Sequence, residues 1–184
     1  LPIGFSIIMF SGISLMVDEK RYNVNYTLLD SLTFLVFFPK ILAGPIERMK
    51  TFSDQIQHSN NKEICTNLYL GFKIFVFGAF IKYVCSDFLS QYVENYYTGV
   101  NQFIAILLFA IQFYLDFWAY SLLAIGIAKV YGVDLMLNFN RPYRSTSFKD
   151  FWRRWNISLS SWLKDYIYLP LLSHKHTRKW VSIV

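Results

Sequence analysis

The chain has 184 residues, of which 54% are hydrophobic, 20% aromatic and only 16% charged. Soluble domains carry roughly 25% charged residues, so this composition argues against a soluble protein and indicates a membrane protein. The net charge of +6 comes from basic side chains placed between apolar runs, which suits anionic lipid headgroups. We therefore expect the lipid bilayer as a partner and no nucleic acid.

The first part of the chain contains two apolar runs of different character. Residues Leu1–Val17 carry no charge and are at the short end of what crosses a bilayer, or form part of a longer span. Residues Leu28–Ile46 are also apolar, but Pro39 and the pair Gly44-Pro45 interrupt them. Because proline and glycine break helices, this second run is predicted to be a broken or re-entrant segment.

A third run, Ile64–Leu89, contains two lysines. The spacing of Lys73 and Lys82 places them on roughly opposite sides of a helix. They are expected either to reach opposite membrane surfaces or to line a polar cavity.

Two further apolar runs, Asn95–Leu115 and Phe117–Ala128, are separated only by Asp116. Together they exceed one bilayer crossing, which predicts either a long tilted helix or two segments joined near Asp116. An aspartate facing lipid at mid-bilayer costs about 2.5 to 3.5 kcal/mol. We therefore expect Asp116 to face a partner or a polar chamber, the alternative being an interfacial position at a helix end.

Residues Phe148–Leu171 form a run with a strong helical period. One predicted helix face carries Trp152, Trp155, Leu159, Trp162, Tyr166 and Leu169, and another carries Arg154, Ser158, Ser161 and Asp165. Thr146 or Ser147 is the predicted N-cap, Pro170 the predicted end, and Asn156 lies at the edge between the two faces. The pattern alone is typical of an amphipathic helix at the membrane interface.

The identities of these residues are more specific than their helical spacing. The string DFWRRWNISLSSWLKDYIYLPL at Asp150–Leu171 resembles the signature of the membrane-bound O-acyltransferase family, in its bacterial alginate O-acetyltransferase-like branch. Four other strings resemble the same family in the same order: LPIG at the start, FFPKILAGPIER at Phe37–Arg48, QFYLDFWAYSLLAIGIAKVYG at Gln112–Gly132 and NFNRPY at Asn138–Tyr143. Two departures stand out, since Trp118 and Ala119 replace the family's usual Ser-Gly and Leu122 replaces its second aspartate.

The resemblance implies a fold and an activity. The expected fold is an all-α polytopic membrane protein with broken or re-entrant helices and an amphipathic interfacial helix, residues 1–184 being a single membrane domain that is incomplete at both ends. The full protein is expected to be an O-acyltransferase that sits in the cell (inner) membrane and crosses it several times. It would move an acyl group, most simply acetyl, from a cytoplasmic thioester to a hydroxyl of an extracytoplasmic polysaccharide or cell-wall acceptor. The donor would be acetyl-CoA or a carrier thioester, with no bound cofactor and with a partner protein on the acceptor side.

The family's polar position within the FWRRW string falls on Asn156. Asparagine cannot act as a base near neutral pH, so Asn156 is expected to orient the acceptor or hydrogen bond the thioester carbonyl. The base would be a histidine in a later Trp-His-Gly-type segment. His58, His174 and His176 do not stand in such a segment, so the 184-residue piece alone is predicted to be inactive.

Six further residues are expected to line the reaction chamber or the substrate path: Asp116, Tyr120, Ser121, Arg153, Arg154 and Asp165. The two arginines would attract an anionic donor, or alternatively anchor to lipid phosphates. No metal site is predicted. Two other functions stay open, a non-catalytic membrane scaffold and a segment of a transporter or channel, and the basic loops leave the orientation open.

Overall fold

The computed structural model describes residues 4–41, 44–57, 63–97 and 102–173, and every regular element in these ranges is helical. This confirms the all-α prediction. His58, His174 and His176 lie outside the described residues.

The N-terminal part folds into four helices: α1 (Phe5–Tyr22), α2 (Leu28–Val36), α3 (Phe38–Ile41) and α4 (Met49–Gln57). Helix α2 begins at a capping box in which the Thr27 hydroxyl accepts from the Asp30 amide N–H. Helical structure is interrupted at Phe37, between α2 and α3, and residues 44–48 form no regular element, which confirms the predicted break. At Gly44 a Cβ atom would overlap the Lys40 Cα, so only glycine allows this close return of the chain.

Two long helical stretches follow. They comprise α5 (Ile64–Phe80), a π-helical segment (Ile81–Ser86) and α6 (Asp87–Tyr97) on one side, and α7 (Gln102–Val130) on the other. Residues Ile64–Asn95 and Gln102–Val130 are long and apolar enough to cross a membrane. Helix α7 runs unbroken through Asp116, so of the two predicted arrangements the single long helix is the one found.

Helix α7 packs along α5, the π-helical segment and α6. The closest approach uses glycine on both sides: a Cβ at Gly126 would lie 2.6 Å from the Phe75 backbone nitrogen, and one at Gly71 2.7 Å from the Gly126 carbonyl oxygen. Small residues at helix crossings let the backbones touch, as is common between membrane helices.

The other side of α7 contributes to an apolar core with α2 and α4. Its buried members are Phe34, Met49, Phe52, Ile125, Ala128, Val133 and Leu135. Lys40 is also fully buried here, with its Nζ 3.4 Å from the centre of the Phe34 ring, and burial lowers the pKa of this amine to about 7.

The C-terminal part contains short helices joined by sharp changes of direction. They are a 3₁₀ turn (Pro142–Arg144), α8 (Phe148–Arg154), α9 (Ile157–Leu163), a second π-helical segment (Lys164–Tyr168) and α10 (Leu169–Ser173). Ser147 is the N-cap of α8, as predicted, because its side chain accepts from the Asp150 amide.

The prediction of one continuous helix from Phe148 to Leu171 is wrong. The chain leaves the helix at Trp155 and Asn156, so the apolar residues do not form a single stripe. Pro170 does not end the helix either, since helical structure continues to Ser173. The π-helical segment before Pro170 ends at Tyr168 and does not follow the regular α-helical hydrogen-bond pattern. A proline, which has no amide hydrogen to donate, is therefore tolerated just after it.

The two long stretches are tied together by charge. The Lys82 Nζ lies 2.6 Å from Asp116 Oδ1 on α7 and 2.7 Å from Asp87 Oδ1, and Ser86 Oγ lies 3.3 Å from Asp116 Oδ1. The first π-helical segment contains both Lys82 and Ser86. Asp116 therefore faces a partner within the fold, which removes the cost of exposing its charge to lipid.

We predict that Lys82→Leu destabilises the full-length protein, because it leaves Asp87 and Asp116 without their cation. The three side chains are only partly buried, so the loss should be smaller than the roughly 3–5 kcal/mol that removing one partner of a fully buried ion pair costs. Asp116→Leu should cost less, since Lys82 keeps Asp87. Thermal unfolding in detergent measures both, and the double variant Lys82→Leu/Asp116→Leu should recover much of the loss.

The matched control is Lys73→Leu, because Lys73 is an exposed lysine of α5, in the same long helical stretch, with no ion pair in the described part of the chain. It should leave the unfolding temperature nearly unchanged. A double variant as unstable as Lys82→Leu would contradict the view that the ion pair itself stabilises the helix contact.

Candidate functional site

The site is organised around a break between α8 and α9. Trp155 is extended, with φ −100° and ψ 128°, and Asn156 has the left-handed values φ 42° and ψ 57°. Asparagine is one of the few residues other than glycine that adopt this conformation readily. The residue that the family resemblance singled out is therefore also the residue at which the helix changes direction.

The break is held by residues 138–140, which run beside it. The Ile157 amide N–H donates to the Asn138 carbonyl oxygen and the Asn140 amide N–H donates to the Arg154 carbonyl oxygen, both at 2.9 Å. Between these two bonds the Phe139 ring packs edge-on against Trp155, with ring centres 5.0 Å apart. We call residues 138–140 with these two hydrogen bonds the NFN clamp.

The chain leading into the clamp is fixed on α4 and the residues before it. The Asp134 backbone exchanges hydrogen bonds with the Gln55 side chain, and the Met136 amide N–H donates to the Glu47 carboxylate. Glu47 is almost fully buried, and this burial raises the pKa of its carboxyl group. The backbone of Asp134 and the amide of Met136 thus have partners on α4 and on the residues before it.

A serine joins the clamp to the loop that follows α3. The Ser158 hydroxyl accepts from the Ile46 amide N–H at 3.0 Å and donates to the Asn138 side-chain oxygen at 2.6 Å. Ser158 is buried, as are Asn138 and Ile46. Three separate parts of the sequence therefore meet at this one hydroxyl.

A cavity of about 250 Å³ lies at this junction. It is lined by Ile7, Phe10, Gly44, Ile46, Phe117, Asn138, Asn156, Ser158 and Leu159. None of these lining residues is ionisable, and most are apolar. The cavity is therefore a largely apolar space with two amide side chains and a hydroxyl in its wall.

Asn156 is positioned to act on a molecule in this cavity. It is the N-cap of α9, yet its side chain makes no capping hydrogen bond, unlike those of Thr27 and Ser147. Within the described part of the chain its amide has no hydrogen-bond partner. An uncommitted amide in an apolar cavity can donate to a carbonyl oxygen or accept from a hydroxyl, but it cannot remove a proton near neutral pH.

The α7 residues named from the sequence lie beside the cavity rather than in its wall. Phe117 is the α7 residue that lines it. Asp116 points to Lys82, the Tyr120 ring centre lies 5.2 Å from the Lys82 Nζ, and Ser121 is buried. A larger chamber that includes these three residues stays a prediction.

The charged residues named from the C-terminal run are also outside the cavity wall. Arg153 is exposed, whereas the Arg154 Nε lies 2.8 Å from Asp150 Oδ2 and so belongs to an ion pair within α8. Asp165 is paired with Arg48 at 2.6 Å. Their roles toward a substrate likewise stay predictions, and the structure separates Arg153 from Arg154.

Helix α1 lies alongside α9 and the second π-helical segment. Its first half lines the cavity, and its last turns carry the polar residues Asp18 and Arg21. Phe10 contacts Trp162 with ring centres 4.6 Å apart, and further along the Tyr166 hydroxyl donates to the buried Asp18 carboxylate at 2.8 Å. Burial raises the pKa of Asp18. Near it the Arg21 Nη2 donates to the Asp165 carbonyl oxygen.

Sequence reasoning missed Asn138, Ser158 and the loop at Ile46 as parts of the site. Ser158 falls on the predicted polar face of a single helix, and no local period shows that its hydroxyl meets Ile46, 112 positions away. For Asn138 the sequence signal is the NFNRPY string, which resembles the family but by itself indicates no role for the asparagine.

The departures from the family pattern on α7 lie against α5. Leu122 packs with Ala119 and Ile81 in an apolar cluster, and Leu122 Cβ is 3.0 Å from where a Cβ at Gly78 would lie. Trp118 stacks on Tyr114 with ring centres 5.7 Å apart. The side chain that replaces the family's second aspartate is thus part of the helix packing.

Comparison with known proteins finds relatives that match most of this chain in sequence. The probable alginate O-acetylase AlgI of Pseudomonas aeruginosa is 39% identical over 178 residues, 93% of this chain and 34% of that protein. The peptidoglycan O-acetyltransferase of Helicobacter pylori is 36% identical over 150 residues, 78% of this chain and 28% of that protein. The teichoic acid D-alanyltransferase of Bacillus subtilis is 30% identical over 190 residues, 98% of this chain and 48% of that protein.

The chain spans about a third of the length of the alginate relatives that it matches. A family model described as the membrane-bound O-acyltransferase family matches residues 9–184, which includes the two long helices, the NFN clamp and the break at Asn156. The chain belongs to the membrane-bound O-acyltransferase family.

Proposed function

We propose that the full-length protein is an O-acyltransferase that moves a small acyl group, acetyl, from a thioester to a hydroxyl of an extracytoplasmic polysaccharide. The observation that carries this proposal is the amide of Asn156, held at a helix break in a mostly apolar cavity and not used for capping. Asn156 is half-buried, and once the bound donor and acceptor exclude water from this cavity, a hydrogen bond to a developing oxyanion is worth more than in water.

In the proposed reaction Asn156 is a hydrogen-bond donor and not the base. The Asn156 amide N–H donates to the thioester carbonyl oxygen while the acceptor hydroxyl oxygen attacks the carbonyl carbon. A base removes the hydroxyl proton, the carbon–sulfur bond breaks, and the sulfur leaves as a thiolate that takes up the proton from the base to give the free thiol. Because an amide cannot serve as the base, we assign that role to a histidine elsewhere in the full-length protein.

The cavity wall favours a small, uncharged acyl group. Its described members are apolar side chains, two amides and one hydroxyl, with no carboxylate among them. A D-alanyl group would bring an ammonium that needs an acidic partner, whereas an acetyl methyl group fits apolar contacts. Relatives named for acetyl transfer, such as the alginate O-acetylase, are thus the better guide to this chain than the relative named for D-alanyl transfer.

The proposed setting follows from the two long helices. Both are long and apolar enough to cross a membrane, and the family is membrane-bound. We propose a multi-pass arrangement in the inner cell membrane, with the donor, acetyl-CoA or a carrier thioester, arriving from the cytoplasm. The acceptor polymer, and a partner protein that presents it, would meet the acyl group from the opposite side.

We predict that Asn156→Gly keeps the fold but lowers kcat for acetyl transfer. Glycine adopts the left-handed conformation without strain, so the unfolding temperature should stay near that of the wild type. Loss of the amide donor should reduce kcat by roughly 10²–10³, the effect of removing one oxyanion donor. The assay is acetyl transfer by the full-length protein in detergent or nanodiscs.

Asn156→Ala serves as the comparison, because it removes the same amide and also places a Cβ-bearing residue in the left-handed region. It should lose as much activity as the glycine variant and, in addition, about 1–2 kcal/mol of stability. Wild-type kcat in the glycine variant would contradict the proposed role of Asn156.

We predict that Arg153→Gln raises the KM for the thioester donor severalfold, while Arg154→Gln leaves that KM nearly unchanged and lowers stability. Arg153 is exposed and can meet an anionic donor, whereas Arg154 is paired with Asp150 within α8. Steady-state kinetics and thermal unfolding of both variants separate the two roles. If Arg153→Gln changes only membrane association, this arginine anchors to lipid phosphates instead.

A further inference from the structure

The hydroxyl of Ser158 ties the two walls of the cavity together. On one side it accepts from the Ile46 amide, in the loop that begins at Gly44. On the other side it donates to Asn138 in the NFN clamp. Both partners line the cavity, as does Ser158 itself.

The clamp in turn fixes the backbone on both sides of Asn156. One clamp bond ends at Arg154, two residues before Asn156, and the other begins at Ile157, the residue after it. The Asn156 side chain has no hydrogen bond of its own in the described part of the chain, so its direction depends on the backbone that carries it. A shift of the clamp would therefore shift the amide.

We propose that Ser158 is a positioning residue that holds the Asn156 amide at a fixed distance from the opposite cavity wall. This inference rests on the proposed function of Asn156 and adds the residue on which its geometry depends. Ser158 does not donate a hydrogen bond to the substrate, because its one O–H already donates to Asn138 and its oxygen accepts from the Ile46 amide. Positioning errors of about 1 Å can cost roughly 10²-fold in rate, so a loosened clamp should be visible in kcat.

The test compares Ser158→Thr with Ser158→Val in the full-length protein. The two replacements have nearly the same volume and add the same methyl group to a buried position, and only threonine keeps the hydroxyl. We expect the valine variant to have a kcat roughly 10- to 100-fold below that of the threonine variant, with a similar KM for the donor. Equal kcat values in the two variants would overturn the proposal.

A double-mutant cycle separates positioning from general destabilisation. If Ser158 acts through Asn156, then Ser158→Val in the Asn156→Gly background lowers kcat little further, because the group being positioned is already absent. If the double variant instead lowers kcat by the product of the two single reductions, Ser158 does not act through Asn156, and the positioning role is overturned while the role of Asn156 remains. A wild-type kcat in Asn156→Gly alone would instead remove the proposed function, and this inference with it.

Hydrogen exchange gives a readout that does not depend on activity. Peptides covering residues 138–140 and 154–160 should exchange faster in Ser158→Val than in Ser158→Thr, since the clamp amides lose their support. Ser161→Ala is the matched control, because its hydroxyl bonds only to the Ser158 carbonyl oxygen within the same helix. Identical exchange in the valine and threonine variants would show that the hydroxyl does not hold the clamp.

Discussion

The arrangement depends on one constraint, that backbone amides and carbonyls in an apolar setting must find partners inside the protein. A helix satisfies its own groups, but a break exposes them. At Trp155 and Asn156 the break is possible because residues 138–140 supply the missing donor and acceptor. Residues 134 and 136, further back on the same segment, are satisfied by Gln55 and Glu47 in the same way.

This constraint explains why the site is assembled from distant parts of the sequence. The extended segment needs partners on both sides, so α4 and the loop before it lie against one side and the break against the other. Helix α7 supports the clamp through Tyr114 and Phe117, whose rings contact Phe139. Elsewhere along its length α7 is held by the Lys82–Asp116 ion pair, so the same helix joins the other long helical stretch to the cavity.

Much of the fold could be predicted from the sequence, because it depends on composition and short-range signals. The apolar runs, the break near Gly44-Pro45 and the Ser147 cap were all correctly anticipated from residue type and spacing. The break at Asn156 could not be predicted, because the apolar residues on both sides of it recur every three or four positions, as in one continuous helix. What interrupts it is the long-range bonding to Asn138 and Asn140, which a local pattern cannot show.

The site was predictable in a similar, partial way. The family resemblance pointed to Asn156, but its left-handed backbone and uncommitted amide come from tertiary contacts. Ser158 illustrates the limit most clearly, since its significance lies in partners at Ile46 and Asn138 rather than in its neighbours on the helix. Asp116 is a second example of this limit. Its charge within an apolar run predicts a partner or a polar chamber, and only the structure shows that the partner is Lys82.

The proposed role of Asn156 requires the acyl group to lie in the cavity at the helix break. A cryo-EM structure of the full-length protein with a hydrolysis-resistant acetyl thioester analogue would show whether it does. We expect the acyl carbonyl oxygen within hydrogen-bonding distance of the Asn156 amide, with the acetyl methyl group against the cavity's apolar wall. An analogue bound elsewhere, with the Asn156 amide bonded instead to another part of the protein, would contradict this role.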